Sequence, residues 1–220
     1  MPSDDLQVLY ADESMLVFDK PAGLLSVPGR GEDKQDCLSA RAQQQFADAR
    51  VVHRLDMATS GLMVMARGAA AQRQLNDAFA SRDIAKRYVA VVDGHLPAPT
   101  EPWGVIDLPI IVDWPNRPCR VIDPIVGKPS LTRWRVLPQA QAGLALTTPV
   151  TRIELEPVTG RSHQLRVHLL AIGHAIAGDQ LYGSPEVQAL ANRLLLHACS
   201  LELQHPATGQ LLRFASPAPF

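Results

Sequence analysis

Cysteine is scarce in this 220-residue chain. Cys37, Cys119 and Cys199 are odd in number, far apart and never spaced as C-x-x-C, which argues against a disulfide framework and a cysteine-type zinc site. Long apolar runs are missing too. Leu62–Ala66 is a typical maximum, against the roughly 18 residues that a membrane span requires. The opening Met-Pro-Ser-Asp-Asp-Leu-Gln lacks a basic segment followed by an apolar stretch, so no ordinary secretory signal is read there. A cytoplasmic protein with no membrane partner is expected. Internal repeats and low-complexity linkers are absent, aromatic residues make up 5% and the net charge is only −1.

What is present fits a folded chain: 46% hydrophobic and 20% charged residues, at a length able to bury a sizeable core. The charge is unevenly spread. Residues 1–40 carry 8 acids against 3 bases, whereas residues 114–135 carry Arg117, Arg120, Lys128, Arg133 and Arg135 against Asp123 alone. A neutral total can therefore hide a basic face. Arg outnumbers Lys by 17 to 4. Its planar fork suits phosphates and base edges, although a GC-rich genome produces the same bias.

The pattern predicts a hairpin from Leu6–Tyr10 and Met15–Asp19, broken by Lys20-Pro21-Ala22-Gly23-Leu24, where Pro21 lacks a donor and Gly23 permits a tight bend. Leu38, Ala42 and Phe46 mark a helix over 36–46. Ala71, Leu75, Ala78 and Phe79 mark a second that stops near Arg82. Strands are expected at Val51–Val52, 62–66, 84–92, 131–137, 143–148, 150–156, 194–203 and 210–214. A third helix should run from His163 to about Ile172, capped by Ser162 and stopped by Gly173. The Pro-rich stretch 97–129 reads as an irregular but structured excursion. Many short strands without βαβ alternation predict α+β with a mostly antiparallel sheet, most simply as one domain over 1–220.

Three constellations can carry chemistry. In His53-Arg54-Leu55-Asp56-Met57-Ala58-Thr59-Ser60-Gly61, Asp56 sits in a polar loop between apolar strands. It is either a nucleophile or base fixed by local hydrogen bonds, or an Asx-turn residue bonded to amides near Thr59. Tyr88 shares a strand face with Ile84, Ala90 and Val92, where a tyrosine is often plain core. Thr159-Gly160-Arg161-Ser162-His163-Gln164-Leu165-Arg166-Val167-His168 is a dense polar helix start. It is either a solvated first turn or one that sends Arg166 into a cleft, where an acidic partner would be needed.

Together these blocks resemble the RluA-type pseudouridine synthases. The resemblance is carried by Lys20-Pro21-Ala22-Gly23-Leu24, His53-Arg54-Leu55-Asp56 with Thr59-Ser60-Gly61, Lys86-Arg87-Tyr88-Val89-Ala90 and Gly127-Lys128-Pro129. It continues through residues 159–168, Gly178-Asp179 with Tyr182-Gly183, and Leu195-Leu196-His197-Ala198. Residues 25–30 and Asp113-Trp114-Pro115-Asn116-Arg117-Pro118 further resemble a dual-specificity branch acting on large-subunit (23S) rRNA and the tRNA anticodon stem-loop. The resemblance implies the pseudouridine synthase catalytic fold, with a cleft across the sheet, acting as an RNA isomerase that needs no nucleotide cofactor, metal or redox partner. The first block begins at residue 20, so no N-terminal S4 domain is expected, and a monomer is.

By motif, the resemblance implies Asp56 as the catalytic nucleophile, Arg166 as its partner and Tyr88 as the phenol against the base. Leu196 would pack on the uracil and Arg54 would fill the gap left by the extruded nucleotide. His53, Thr59, Arg30, Arg117, Lys128 and Arg161 are further candidates for RNA contact. Two rival readings remain at this stage. Five of seven histidines lie after residue 160, and His197 and Cys199 would share a strand face, as in a zinc hydrolase. Yet His163 and His168 are five apart and no H-E-x-x-H occurs. The other rival is a non-catalytic RNA-binding module.

Overall fold

The computed structural model describes residues 6–138 and 149–220, so the strand expected at 143–148 lies outside the described residues. Packing divides the chain into two compact units, Met1–Lys86 with Ala198–Ala218 and Arg87–His197 with Pro219–Phe220. Among the described residues no helix is long and apolar enough to cross a membrane.

In the first unit, β1 (Gln7–Ala11) and β2 (Met15–Lys20) form the expected hairpin, and β2 pairs antiparallel with β4 (Ser60–Arg67). The short β3 (Ala49–Val51) also lies on β4. Every residue of β4 from Ser60 to Ala66 is buried, which is why its apolar run does not alternate. Leu62, Val64 and Ala66 pack with Met15, Val17, Leu201 and Leu203 against Ala71 and Leu75 of helix α2 (Gly68–Ser81). Each of these Met, Val and Leu side chains contributes about 1.5–3 kcal/mol on burial. Arg82 ends α2 in the left-handed region at φ 67, as expected near that residue. Helix α1 (Leu38–Gln45) buries Leu38 and Ala42. Strands β11 (Leu196–Gln204) and β12 (Leu211–Ala215) close the chain as an antiparallel pair.

The second unit is a sheet of β5 (Ala85–Asp93), β10 (Val150–Pro157), β9 (Leu131–Val136) and β6 (Gly104–Asp107), paired antiparallel in that order. The architecture is thus α+β with mostly antiparallel pairing. The 97–129 excursion is more regular than expected: it contains β6 and a separate hairpin of β7 (Ile110–Val112) and β8 (Arg120–Ile122). Strands of three or four residues are too short to show a period.

Two further corrections concern helices. Ser162 does not cap α3 (Gln164–Ala171); the boundary residue is His163, held in the left-handed region at φ 58 with no side-chain cap. Helix α4 (Pro185–Ala189) was not anticipated, although Ser184 caps it and Pro185 opens it.

Candidate active site

Asp56 lies in the segment joining β3 to β4, and its neighbours on both sides are anchored. Ser26 Oγ accepts from the Leu55 amide at 3.1 Å and donates to the Leu55 carbonyl at 2.6 Å. On the other side, the Met57 carbonyl accepts from the Gly23 amide at 2.8 Å and from Lys20 Nζ at 3.2 Å. Lys20 is 0% exposed, and its ammonium also donates to the carbonyls of Pro21 and Leu24, each at 2.8 Å. A buried cation is tolerated only with such oxygen partners, so the bend after β2 and the Asp56 segment are tied to one charge. The Thr59 amide donates to the Asp56 main-chain carbonyl at 3.1 Å. That main-chain bond closes the turn. Asp56 is half-buried, Thr59 buried and Arg54 exposed.

His53 has a structural task in the same segment. Its Nε2 accepts from the Val64 amide at 3.0 Å and its ring stacks on Phe79 at 4.5 Å. Burial, helped by the positive charge of Lys86, pushes its pKa down to about 3. The imidazole is therefore neutral, with its proton on Nδ1.

Helix α3 is not the solvated turn that its polar residues suggest, because Gln164 through Leu169 are all buried. The Gln164 side chain accepts from the Thr159 hydroxyl at 2.7 Å and donates to the Leu131 carbonyl at 2.9 Å. His168 uses both ring nitrogens, on the Thr132 hydroxyl and the Leu108 carbonyl, each at 2.9 Å. Burial lowers its pKa. These contacts spend His168 on structure and remove it as a ligand for the zinc-hydrolase reading.

Arg166, fixed in this buried helix, forms a two-pronged ion pair with Asp179. Its Nε meets Oδ2 at 2.9 Å and its Nη2 meets Oδ1 at 2.7 Å, with both side chains almost fully buried. The guanidinium also lies over the Tyr182 ring at 5.0 Å. The acidic partner required of a buried Arg166 is thus met within this unit by Asp179. Nothing in the local sequence around Gly178-Asp179 or Tyr182 marks these tasks, which depend on Arg166 of α3. The tasks of Lys20 and Gln164 are likewise hidden from local pattern, because Lys20 reaches Met57 and Gln164 reaches Leu131, 37 and 33 residues away.

The remaining candidates are spread over both units. Tyr88 is half-buried on β5, opposite Leu155 of β10. Leu196 opens β11 and is buried. Arg30, Arg117, Lys128 and Arg161 are exposed. Arg117 stacks over the indole of Trp114 at 4.7 Å, and that indole is 65% exposed.

The profile of the RNA pseudouridylate synthase family matches residues 14–171, and the chain belongs to that family. It is an RNA pseudouridine synthase, an isomerase that converts uridine in RNA to pseudouridine. Among its relatives, the dual-specificity RNA pseudouridine synthase RluA of Escherichia coli K12 is 50% identical over 215 residues, 98% of this chain and 94% of that protein. The enzyme of the same name from Haemophilus influenzae is 42% identical over the same shares. The solved structure of human RNA pseudouridylate synthase domain containing 1 aligns over 100% of this chain and 87% of that chain, with a TM-score of 0.80 at 30% identity.

Proposed function

We propose that this enzyme isomerises uridines in stem-loops of both large-subunit rRNA and tRNA, acting as one catalytic domain and as a cytoplasmic monomer. The dual specificity is supported by the 50% identity over almost the whole chain to an enzyme bearing that name. In the reaction the N1–C1′ bond of uridine breaks and a C5–C1′ bond forms. A proton leaves C5 and N1 gains one, so no atoms are gained or lost. Asp56 acts at the glycosidic bond, Arg166 orients its carboxylate, and Tyr88 lies against the base and assists the late proton removal. Leu196 packs on the uracil, and Arg54 fills the stack from which the nucleotide is extruded.

The observation that carries this assignment is the anchoring of Leu55 and Met57 on either side of Asp56, with the turn closed by main chain. That is how a fold preorganises a reacting side chain. Arg30, Arg117, Lys128 and Arg161 supply phosphate contacts. The test is Asp56→Asn assayed on a stem-loop RNA by pseudouridine mapping. Turnover should fall at least about a thousandfold with RNA affinity near wild type; retained turnover overturns the assignment. Restoring the wild-type gene to a deletion strain should return pseudouridine to both RNA classes, and return to one class alone rejects dual specificity.

A further inference from the structure

We propose that Tyr182 is a positioning residue that ties the β7–β8 hairpin to Arg166, so that RNA docking on the hairpin sets the pose of the guanidinium. The inference deepens the proposed function and rests on the assignment of Arg166 to the reacting site.

Four contacts meet at this tyrosine. Its ring lies under the Arg166 guanidinium at 5.0 Å. Its amide donates to Asp179 Oδ1 at 3.2 Å, the same oxygen that receives Nη2 of Arg166. Its hydroxyl accepts from the Arg120 amide at 2.9 Å, at the start of β8. The same hydroxyl lies 2.7 Å from His163 Nδ1. A main-chain amide can only donate, so the phenol oxygen accepts from Arg120, and the same oxygen is hydrogen-bonded to the imidazole, linking Arg120 through Tyr182 to His163. Burial, opposed by the Arg120 amide and the Arg166 charge, raises the Tyr182 pKa to about 12, so the proton stays in place.

The geometry on either side suits a mechanical link. His163 holds a left-handed conformation at φ 58, which a non-glycine residue keeps only when its surroundings enforce it. It stands three residues before Arg166. At the other end the hairpin loop is internally braced. The Cys119 amide donates to the Asn116 carbonyl at 2.9 Å, the Asp113 amide to the Cys119 carbonyl at 3.1 Å, and Arg117 Nε to the Trp114 carbonyl at 3.2 Å. The loop carries the exposed Trp114 with Arg117 stacked on it, a pairing that offers an RNA base a stacking surface and its phosphate a charge. A braced loop moves as a piece, and the residue next to it, Arg120, is the one bonded to Tyr182.

Tyr182→Phe keeps the ring under Arg166 and removes the hydroxyl. At saturating stem-loop RNA its single-turnover rate should fall about tenfold with RNA affinity within twofold of wild type, because a misplaced orienting group costs rate rather than binding. Trp114→Ala should lower both rate and affinity in the wild-type background, but affinity alone when combined with Tyr182→Phe. A wild-type rate for Tyr182→Phe, or rate losses that simply multiply in the double variant, overturns the proposal. If Tyr182→Phe melts below the assay temperature, His163→Gly removes the imidazole that the hydroxyl bonds, at a φ that glycine adopts without strain. It should show the same rate loss, and a wild-type rate again overturns the link. Arg166→Lys separates the two levels: full turnover there rejects the site assignment itself, whereas an inactive Arg166→Lys beside a fully active Tyr182→Phe rejects only the relay.

Discussion

Arg166 and Asp179 show what one side chain can cost. The pair is buried and joined by two short hydrogen bonds, so removing the cation leaves a carboxylate in an interior that cannot solvate it. Arg166→Met should lower stability by about 3–5 kcal/mol, read as a fall in the urea midpoint. Asp179→Asn should destabilise in the same direction by removing the negative charge that its two short bonds bring to the buried arginine. Lys20 makes a second case. Its ammonium reaches three carbonyls on two segments, and Lys20→Met leaves those oxygens without this donor. The expected loss is about 1–3 kcal/mol for each carbonyl left unsatisfied. A fall in single-turnover rate should accompany it, measured on the folded fraction, because Met57 and with it Asp56 lose an anchor.

Elements were legible to the extent that their signals are local. The hairpin of β1 and β2, helices α1 and α2, and the strands β4, β5, β9, β10, β11 and β12 all follow from periodicity and from punctuation by Gly and Pro. Helix α2 stops where Arg82 turns left-handed. The three-residue strands β7 and β8 were hidden because no period fits in so few residues. The polar face of α3 was misleading for a different reason: Gln164 and His168 look solvent-seeking until Thr132, Leu131 and Leu108, distant in sequence, satisfy them. Gly61 is the position where element packing is least forgiving. It has φ +109, and a Cβ there would overlap the main chain of Ala198. Gly61→Ala should therefore cost about 1–3 kcal/mol from backbone strain alone, seen as a larger fall in melting temperature than a surface Gly→Ala change gives.

For the whole molecule, pH and salt act through different groups. His53 is held near pKa 3 by burial, against about 6.5 in an unfolded chain. Unfolding then takes up a proton wherever the pH lies between those values, so stability rises with pH across that window and is lost on acidification. His168, also depressed by burial, acts in the same direction. Asp12 extends the trend. Hydrogen bonds from Tyr10, Met15, Ser14 and His205 outweigh its desolvation and hold it at about 2, so its contribution is present above the usual carboxylate pKa and lost as pH falls towards 2. Melting temperature should be nearly flat above about pH 7 and decline steadily below 6.5; a His53→Gln variant should show a shallower decline between 6.5 and 3. RNA affinity should weaken at least about tenfold between 50 and 200 mM salt despite the net charge of −1, because phosphates meet the local basic cluster rather than the average.

The amino-acid sequence by itself determined the α+β class, most element boundaries and the family, because these depend on spacing, turn chemistry and blocks of residues contiguous in the chain. Only the tertiary structure decided that Asp179 clamps Arg166, that Lys20 anchors the segment carrying Asp56, and that Tyr182 joins His163 to Arg120. Desolvated charges and hydroxyls must find partners wherever folding brings them, and between 13 and 62 residues separate several of these pairs. No local pattern records such a meeting.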